Sequence, residues 1–398
     1  MTSRTTTGST DGIVVAGGGL AAQRACETLR RAGHDGPIRV VCGEQHAPYD
    51  RPPLSKEFLA GELGPDELRY RPDDWYREQE VDLLLGERAA RLDAHARRLA
   101  LDGGAVLRYD RLLIATGSEP RRLPGVAGRD NVHELRTLAD AQGLREAIAA
   151  GRRLAVVGAG FIGQEVAAGA TRAGARVTIV EAAAAPLAAI LGEELGGWFA
   201  RLHREEGVEV LLSARIARLH GGRGVEAIEL EDGRRIDCDA VVVGIGTQPA
   251  TGWLAGSGLD PAGVLVDGAG RTVAPGVFAA GDASRPFDAR LGVHLRTEHW
   301  EAAARQGAAA ARAMLGLPVA ASPAPSFWSD QHGVRIQYVG HAHGADGIEI
   351  DGDPGARDFT ATFTASGRPV AALLVGRPHA LPALRRRLEA HHDERTAA

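Results

Sequence analysis

Residues 153–181 read RLAVVGAGFIGQEVAAGATRAGARVTIVE, and this stretch decides the fold. Arg153 to Val157 is a short apolar run of strand character, the hydrophobic spacing then changes to that of a helix, and Arg176 to Val180 returns to a strand. Between the first strand and the helix, Gly158, Gly160 and Gly163 form G-x-G-x-x-G. Such glycines permit a tight turn, close approach of backbone to a pyrophosphate, and close packing of helix on strand. The anion then sits on the helix start, where unpaired N–H groups and the helix dipole favour negative charge. Glu181 ends the second strand, 18 residues after Gly163, where its carboxylate can accept hydrogen bonds from adenine-ribose hydroxyls. The same carboxylate repels a 2′-phosphate, and Ala182 to Ala185 supply no arginine to neutralise one, so NADH is preferred to NADPH.

The unit occurs a second time, nearer the start of the chain. GIVVAGGGLAAQRACETLRRAG, residues 12–33, passes from strand to helix, and IRVVCGE, residues 38–44, supplies the next strand. Here Gly17, Gly19 and Ala22 form G-x-G-x-x-A, with Glu44 as the acid at the strand end. Two such units in one chain predict two dinucleotides, a flavin and a nicotinamide. The fold class that follows is α/β, with two Rossmann-like dinucleotide-binding domains.

The rest of the chain is punctuated by turns. PYDRPPLSKEFL, residues 48–59, is too proline-rich at its start for a regular element, and YDRLLIATGSEPRRLPG, residues 109–125, is a strand that breaks into a domain crossover. DAVVVGIGTQPAT, residues 239–251, and GVFAAGDAS, residues 276–284, read as the return to the first domain. In the latter, Asp282 stands at a strand end, placed for a polyol hydroxyl such as that of a flavin ribityl chain. The segment from Thr297 is helical in pattern, and its start carries Glu298, His299 and Trp300; a helix start aimed at a flavin would stabilise the charge of its reduced form. Beyond the linker at 321–326, a few strands and a final helix make a third, small α+β domain.

Composition bounds the function. A chain of 398 residues, 44% hydrophobic and of formal charge −5, buries a large core and has no basic excess for nucleic acid. Its one basic run, Arg385 to Arg387, reads as a solvated helix face. No apolar run approaches the length of a membrane span, and the polar start MTSRTTTGSTDG has no signal-peptide pattern. A cytoplasmic protein, disordered over residues 1 to 10, is expected. Cys26, Cys42 and Cys238 are far apart, so there is no C-x-x-C redox pair and no zinc spacing, and no metal is expected.

Seven segments in order, PYDRPPLSK, LLIATGSEPRRLPG, VVGAGFIGQEVAA, GIGTQPAT, VFAAGDA, EHWEAAARQG and FWSDQ, together resemble the FAD-dependent NADH:ferredoxin reductases that serve bacterial Rieske dioxygenases and cytochromes P450, with rubredoxin and putidaredoxin reductases as relatives. The resemblance runs from about Asp11 to Leu388. It implies a glutathione-reductase-like arrangement: a discontinuous FAD domain at 11–118 and 246–325, an NADH domain at 119–245, and a C-terminal domain at 326–398. FAD would be bound noncovalently. By the same resemblance Glu44 is the FAD ribose ligand, Lys56 lies near the reactive edge of the flavin, Ala89 contacts adenine, and Arg136 and Asp282 are further FAD contacts. Trp300 stands beside the isoalloxazine, Glu165 is an acid near the nicotinamide, and Thr116, Ile162 and Gly246 complete the expected contact set. Lys56, Glu165 and Trp300 are the residues expected nearest the chemistry.

The activity implied is hydride transfer from NADH to flavin, followed by single-electron transfer to a ferredoxin-type iron-sulfur protein or rubredoxin, by a monomer. The missing dithiol argues against glutathione- and thioredoxin-reductase chemistry. Two other readings compete: an NADH oxidase, for which Cys42 is badly placed, and a flavoprotein whose NADH-bound state acts as a binding or signalling module with negligible turnover. Arg305, Arg312 and Arg335 are candidate contacts for an acidic partner, or ordinary surface charge.

Overall fold

The structure, a computed structural model, describes residues 11–149 and 151–396, with side chains as far as residue 390. The expected disorder of residues 1 to 10 therefore lies outside the described residues. The chain forms two compact units. One takes the chain up to Asp50 with Arg69–Glu119 and Gln248–Ser322; the other takes Arg51–Leu68, Pro120–Thr247 and the chain from Pro323.

The first unit is built on a five-stranded parallel sheet, in the order Val277–Ala279, Arg111–Ile114, Ile13–Ala16, Ile38–Cys42, Val81–Leu85. Its central strand, Ile13–Ala16, reads as an unbroken apolar run because both its faces are covered. Ile13, Val15 and Val40 pack on helices Leu20–Arg31 and Trp300–Met314, through small residues such as Ala22, Ala25, Ala310 and Ala311 that let the helices lie close. Val14, Ala16, Leu112 and Ile114 face the other way, onto Leu92, Leu99 and Leu101 of a three-stranded antiparallel sheet.

The second unit repeats the plan. Its parallel sheet has the order Glu209–Leu211, Arg176–Val180, Arg153–Val157, Ala240–Val243, Val132–His133. Leu154 and Val156 pack on helix Phe161–Arg172 through Val166, Ala167 and Ala170, and Ala155 and Val157 on the antiparallel strands carrying Ile228, Leu230 and Ile236.

The C-terminal segment forms a five-stranded antiparallel sheet, ordered Ser326–Gln331, Val334–Gly340, Arg368–Val375, Asp358–Ala365, Gly347–Asp353. A sheet of this size must bury a face. It does so on helix Ala188–Glu205, whose Leu191, Leu195, Trp198, Phe199 and Leu202 meet Ile336, Phe359, Phe363 and Leu373 in one core. Whereas the sequence reading sets this segment apart as a third domain, its packing joins it to the second unit. Residues 51–68, placed by that reading in the FAD domain, also pack in the second unit. The other face of the sheet is covered by helix Leu381–Thr396 through Leu381, Leu384 and Leu388. Arg386 and Arg387 on this helix are exposed, but Arg385 is half-buried and donates to Ser326 Oγ, so the basic run is only partly a solvated face.

Candidate functional site

Within the first unit, the turn at Gly17–Gly19 leads into helix Leu20–Arg31, whose first N–H groups have no side-chain cap. Gly17 has φ +125°, and a Cβ there would stand 2.0 Å from the Ala115 carbonyl oxygen. Gly19, by contrast, has nothing within 4 Å of the position of a Cβ, leaving open space before the helix start. Ala22 is buried in the first turn of that helix. The Glu44 carboxylate, half-buried at the strand end, accepts from the Tyr49 hydroxyl at 2.6 Å. Thr116 Oγ1 is buried without a hydrogen-bond partner, and Asp282 accepts from Ser118 Oγ at 2.8 Å. The Asp282 turn is braced from behind, because the Gly281 N–H donates to Gln306 Oε1 at 2.7 Å. Trp300 opens helix Trp300–Met314, and its indole N–H donates to Asp50 Oδ1 at 2.7 Å. Ala89 begins strand Ala89–Asp93 and is half-buried. An open helix start, an unpartnered hydroxyl and two oriented carboxylates fit a ligand that combines a pyrophosphate with hydroxyl groups, as FAD does.

The second unit holds the other expected residues. Gly158 has φ +99°, and a Cβ there would lie 2.4 Å from the Gly244 carbonyl oxygen. A Cβ on Gly163 would be 2.3 Å from Gly158 O, which is why this copy needs glycine where the first carries Ala22. At Gly160 the nearest atom to a Cβ would be 3.8 Å away, so this turn too is open at the start of its helix. Ile162, on the first turn of that helix, is 46% exposed, an apolar surface for a ligand lying over the turn. Glu181 accepts from the N–H of Ala159 at 2.7 Å through one oxygen and from that of Ala183 at 2.8 Å through the other. Each oxygen keeps a second lone pair, so the carboxylate is oriented and can still receive ribose hydroxyls. Gly246 is exposed with φ +98°, and Arg136 precedes helix Leu138–Ala147, its backbone N–H held by Asp140 at 3.1 Å.

The strongest polar cluster of this unit is around Glu165, which is 4% exposed. Its Oε2 accepts from Lys56 Nζ at 2.7 Å and from Ser55 Oγ at 2.5 Å, while Oε1 accepts from Ser329 Oγ at 2.6 Å. The Lys56 ammonium has three donors and three acceptors in reach: Glu165, the Pro52 carbonyl at 3.3 Å and Ser55 Oγ at 3.4 Å. A buried carboxylate and a partly buried ammonium with their hydrogen bonds satisfied hold each other in one geometry. Three segments far apart in sequence build this cluster: PYDRPPLSK, the helix after the second glycine turn, and FWSDQ. Ser55, Ser329, Tyr49, Asp50 and Gln306 were not singled out from the sequence. Strand alternation in FWSDQ could have pointed to Ser329, since Phe327, Ser329 and Gln331 share one face.

All three thiols are buried, and burial raises them: Cys26 and Cys42 to about 12 and Cys238 to about 11. A thiol held protonated is neither a nucleophile nor a disulfide partner. Of the candidate docking arginines, Arg305 pairs with Glu301 at 2.5 Å, Arg335 with Asp330 at 2.6 Å, and Arg312 donates to the Pro318 carbonyl at 2.7 Å. All three are exposed but locally engaged, which weakens them as free charges for a partner.

Two glycine turns, each backed by an acid at the end of the next strand, define the class: a protein built around two dinucleotides. Residues 11–307 match the pyridine nucleotide-disulphide oxidoreductase family and residues 326–398 the reductase C-terminal family. Relatives include the anthranilate 1,2-dioxygenase system ferredoxin–NAD(+) reductase component of Burkholderia cepacia, 38% identical over 96% of this chain and 95% of that one. The biphenyl dioxygenase system ferredoxin–NAD(+) reductase component of Paraburkholderia xenovorans is 39% identical over 91% of this chain and 86% of its own. Among solved structures, the covalent putidaredoxin reductase–putidaredoxin complex superposes with a TM-score of 0.92 at 32% identity, covering 96% of this chain and 93% of that one. The chain belongs to the pyridine nucleotide-disulphide oxidoreductase family, in its branch of FAD-dependent NADH:ferredoxin reductases.

Proposed function

We propose that this chain is an FAD-dependent NADH:ferredoxin reductase that delivers single electrons to a ferredoxin-type iron-sulfur protein feeding a Rieske or P450 oxygenase. The observation that carries this reading is the pair of open helix starts, at Gly19 and Gly160, each followed by an oriented acid, Glu44 and Glu181. The relatives carry the choice of acceptor. Bound FAD supplies the conversion of a two-electron hydride donor into a source of single electrons.

The protein's part is to bind and orient. The first unit, with Gly17, Gly19, Ala22, Glu44, Ala89, Thr116, Asp282 and Trp300, is assigned to FAD. The second, with Gly158, Gly160, Ile162, Gly163, Glu165, Glu181 and Gly246, is assigned to NADH. Lys56 and Glu165 set the charge beside the nicotinamide, and no side chain has to act as a nucleophile, because stacking geometry supplies most of the effect. Buried thiols that stay protonated count against a disulfide relay and against a cysteine-based NADH oxidase. A cytoplasmic location, where NADH is supplied and thiols stay reduced, suits this activity. Among the described residues no helix is long and apolar enough to cross a membrane.

Glu181 tests the nicotinamide assignment. Glu181→Arg removes the acceptor for the ribose hydroxyls and offers a cation to a 2′-phosphate. The expected result is a fall of about tenfold to hundredfold in kcat/KM for NADH and a rise for NADPH, measured with a one-electron acceptor. An unchanged ratio of the two would remove Glu181 from the coenzyme site.

A further inference from the structure

Behind Glu165 lies a line of buried polar groups that the binding of FAD and NADH does not use. Ser329 Oγ, which donates to Glu165 Oε1, accepts from Gln331 Nε2 at 3.1 Å. Gln331 Oε1 faces His203 Nε2 at 3.2 Å, and His203 Nδ1 faces His332 Nε2 at 2.9 Å. Ser329, Gln331 and His203 are each no more than 1% exposed. The donors and acceptors can be ordered from one end. A carboxylate facing the Lys56 ammonium only accepts, so the Ser329 hydroxyl spends its hydrogen on Glu165 and must itself accept from Gln331. The Gln331 amide therefore presents its NH2 to Ser329 and its oxygen to His203. His203 must then carry its hydrogen on Nε2, leaving Nδ1 to accept from the Nε2–H of His332. Every hydrogen bond in the line points toward Glu165.

We propose that His203 and His332 are positioning residues for the reductase reaction: through Gln331 and Ser329 they hold the Glu165 carboxylate in the orientation that pairs with Lys56. This rests on the assignment of Glu165 to the nicotinamide site. A row of aligned N–H and O–H dipoles stabilises the carboxylate's charge and fixes its rotamer, since each bond polarises the next. Burial and the neighbouring His332 push His203 down to about 3, so its ring stays neutral and keeps one tautomer. A protonated His203 would aim a second N–H at His332 and break the order of the line. Fold supplies the spacing: Ser329 and Gln331 alternate onto one face of strand Ser326–Gln331, His203 lies near the end of helix Ala188–Glu205, and His332 sits in the hairpin turn at φ +49°.

The test compares three variants of the FAD-loaded protein by stopped-flow reduction with NADH, and examines the wild type labelled with 15N-histidine by long-range 1H–15N NMR. His203→Leu removes the donor to Gln331 and should slow reduction about tenfold with unchanged NADH affinity. His203→Gln returns an N–H to that acceptor and should recover to within about threefold of wild type. Glu165→Gln should be slowed at least as much as His203→Leu. The NMR signal lost in the His203 variants should show a neutral ring protonated on Nε2 from pH 6 to 8. If Glu165→Gln reduces at the wild-type rate, the assignment of Glu165 falls and the positioning role falls with it. Should Glu165→Gln be slow while His203→Leu is not, or should Leu and Gln at 203 be equally slow, the positioning role alone is overturned. An Nδ1–H tautomer overturns it too, and that measurement, made on the wild type, needs only one of the two His203 variants to fold for its assignment.

Discussion

Gly17→Ala is expected to yield protein that retains no FAD. A Cβ at this position would stand 2.0 Å from the Ala115 carbonyl oxygen and 2.9 Å from the Thr116 nitrogen, and φ of +125° is strained for any L side chain. The turn cannot slide away, because the Gly17 N–H is tied to the Val41 carbonyl at 2.8 Å and the contacted backbone follows directly on the neighbouring strand Arg111–Ile114, with the Ala115 N–H held by the Ala16 carbonyl at 2.8 Å. The change therefore distorts the turn that carries the open helix start. Gly19→Ala separates that distortion from the loss of the ligand. Nothing in the protein lies within 4 Å of its Cβ, so the apo protein should unfold at the wild-type temperature, whereas a methyl group projecting into the pyrophosphate space should weaken FAD about tenfold or more. The ratio of flavin to protein absorbance, with thermal unfolding of the apo forms, reads both. Full flavin retention by Gly17→Ala would mean that the cofactor is held elsewhere.

Lys56→Ala is the second large effect. It leaves Glu165, 4% exposed, with hydroxyl donors but no cation, and breaking a buried pair by removing one partner costs about 3–5 kcal/mol. Part of that cost is expected as lost stability and part as relaxation of the carboxylate away from its position. Flavin reduction by NADH should slow by more than about tenfold, while the absorption spectrum of the bound flavin keeps its shape. Reduction at the wild-type rate in stopped flow would take Lys56 out of the reaction.

The two parallel sheets were legible in the sequence because their signals are local. A strand, a glycine turn and a helix occupy some twenty consecutive residues, and the acid follows one strand later, so Gly158, Gly163 and Glu181 declare themselves without reference to any distant segment. The cluster around Glu165 was not legible from spacing. Ser55, Glu165 and Ser329 are 110 and 164 residues apart along the chain, and only tertiary packing brings them into hydrogen-bond range. Lys56 and Glu165 were singled out through family resemblance, which marks positions but not their contacts. Likewise, the apolar face of helix Ala188–Glu205 announces that it will be buried, yet nothing in its sequence says that the covering layer is a sheet formed after residue 326. The division of the chain into segments was thus easier to read than the way those segments share cores.

The most direct test of two dinucleotide sites with a preference for NADH is an anaerobic visible titration of the purified protein, with NADH and with NADPH in separate cells. The account predicts a flavin spectrum that bleaches with about one equivalent of NADH and resists NADPH, since Glu181 repels a 2′-phosphate. A colourless protein that cannot be reconstituted with FAD, or a flavin bleached equally by both coenzymes, would contradict it.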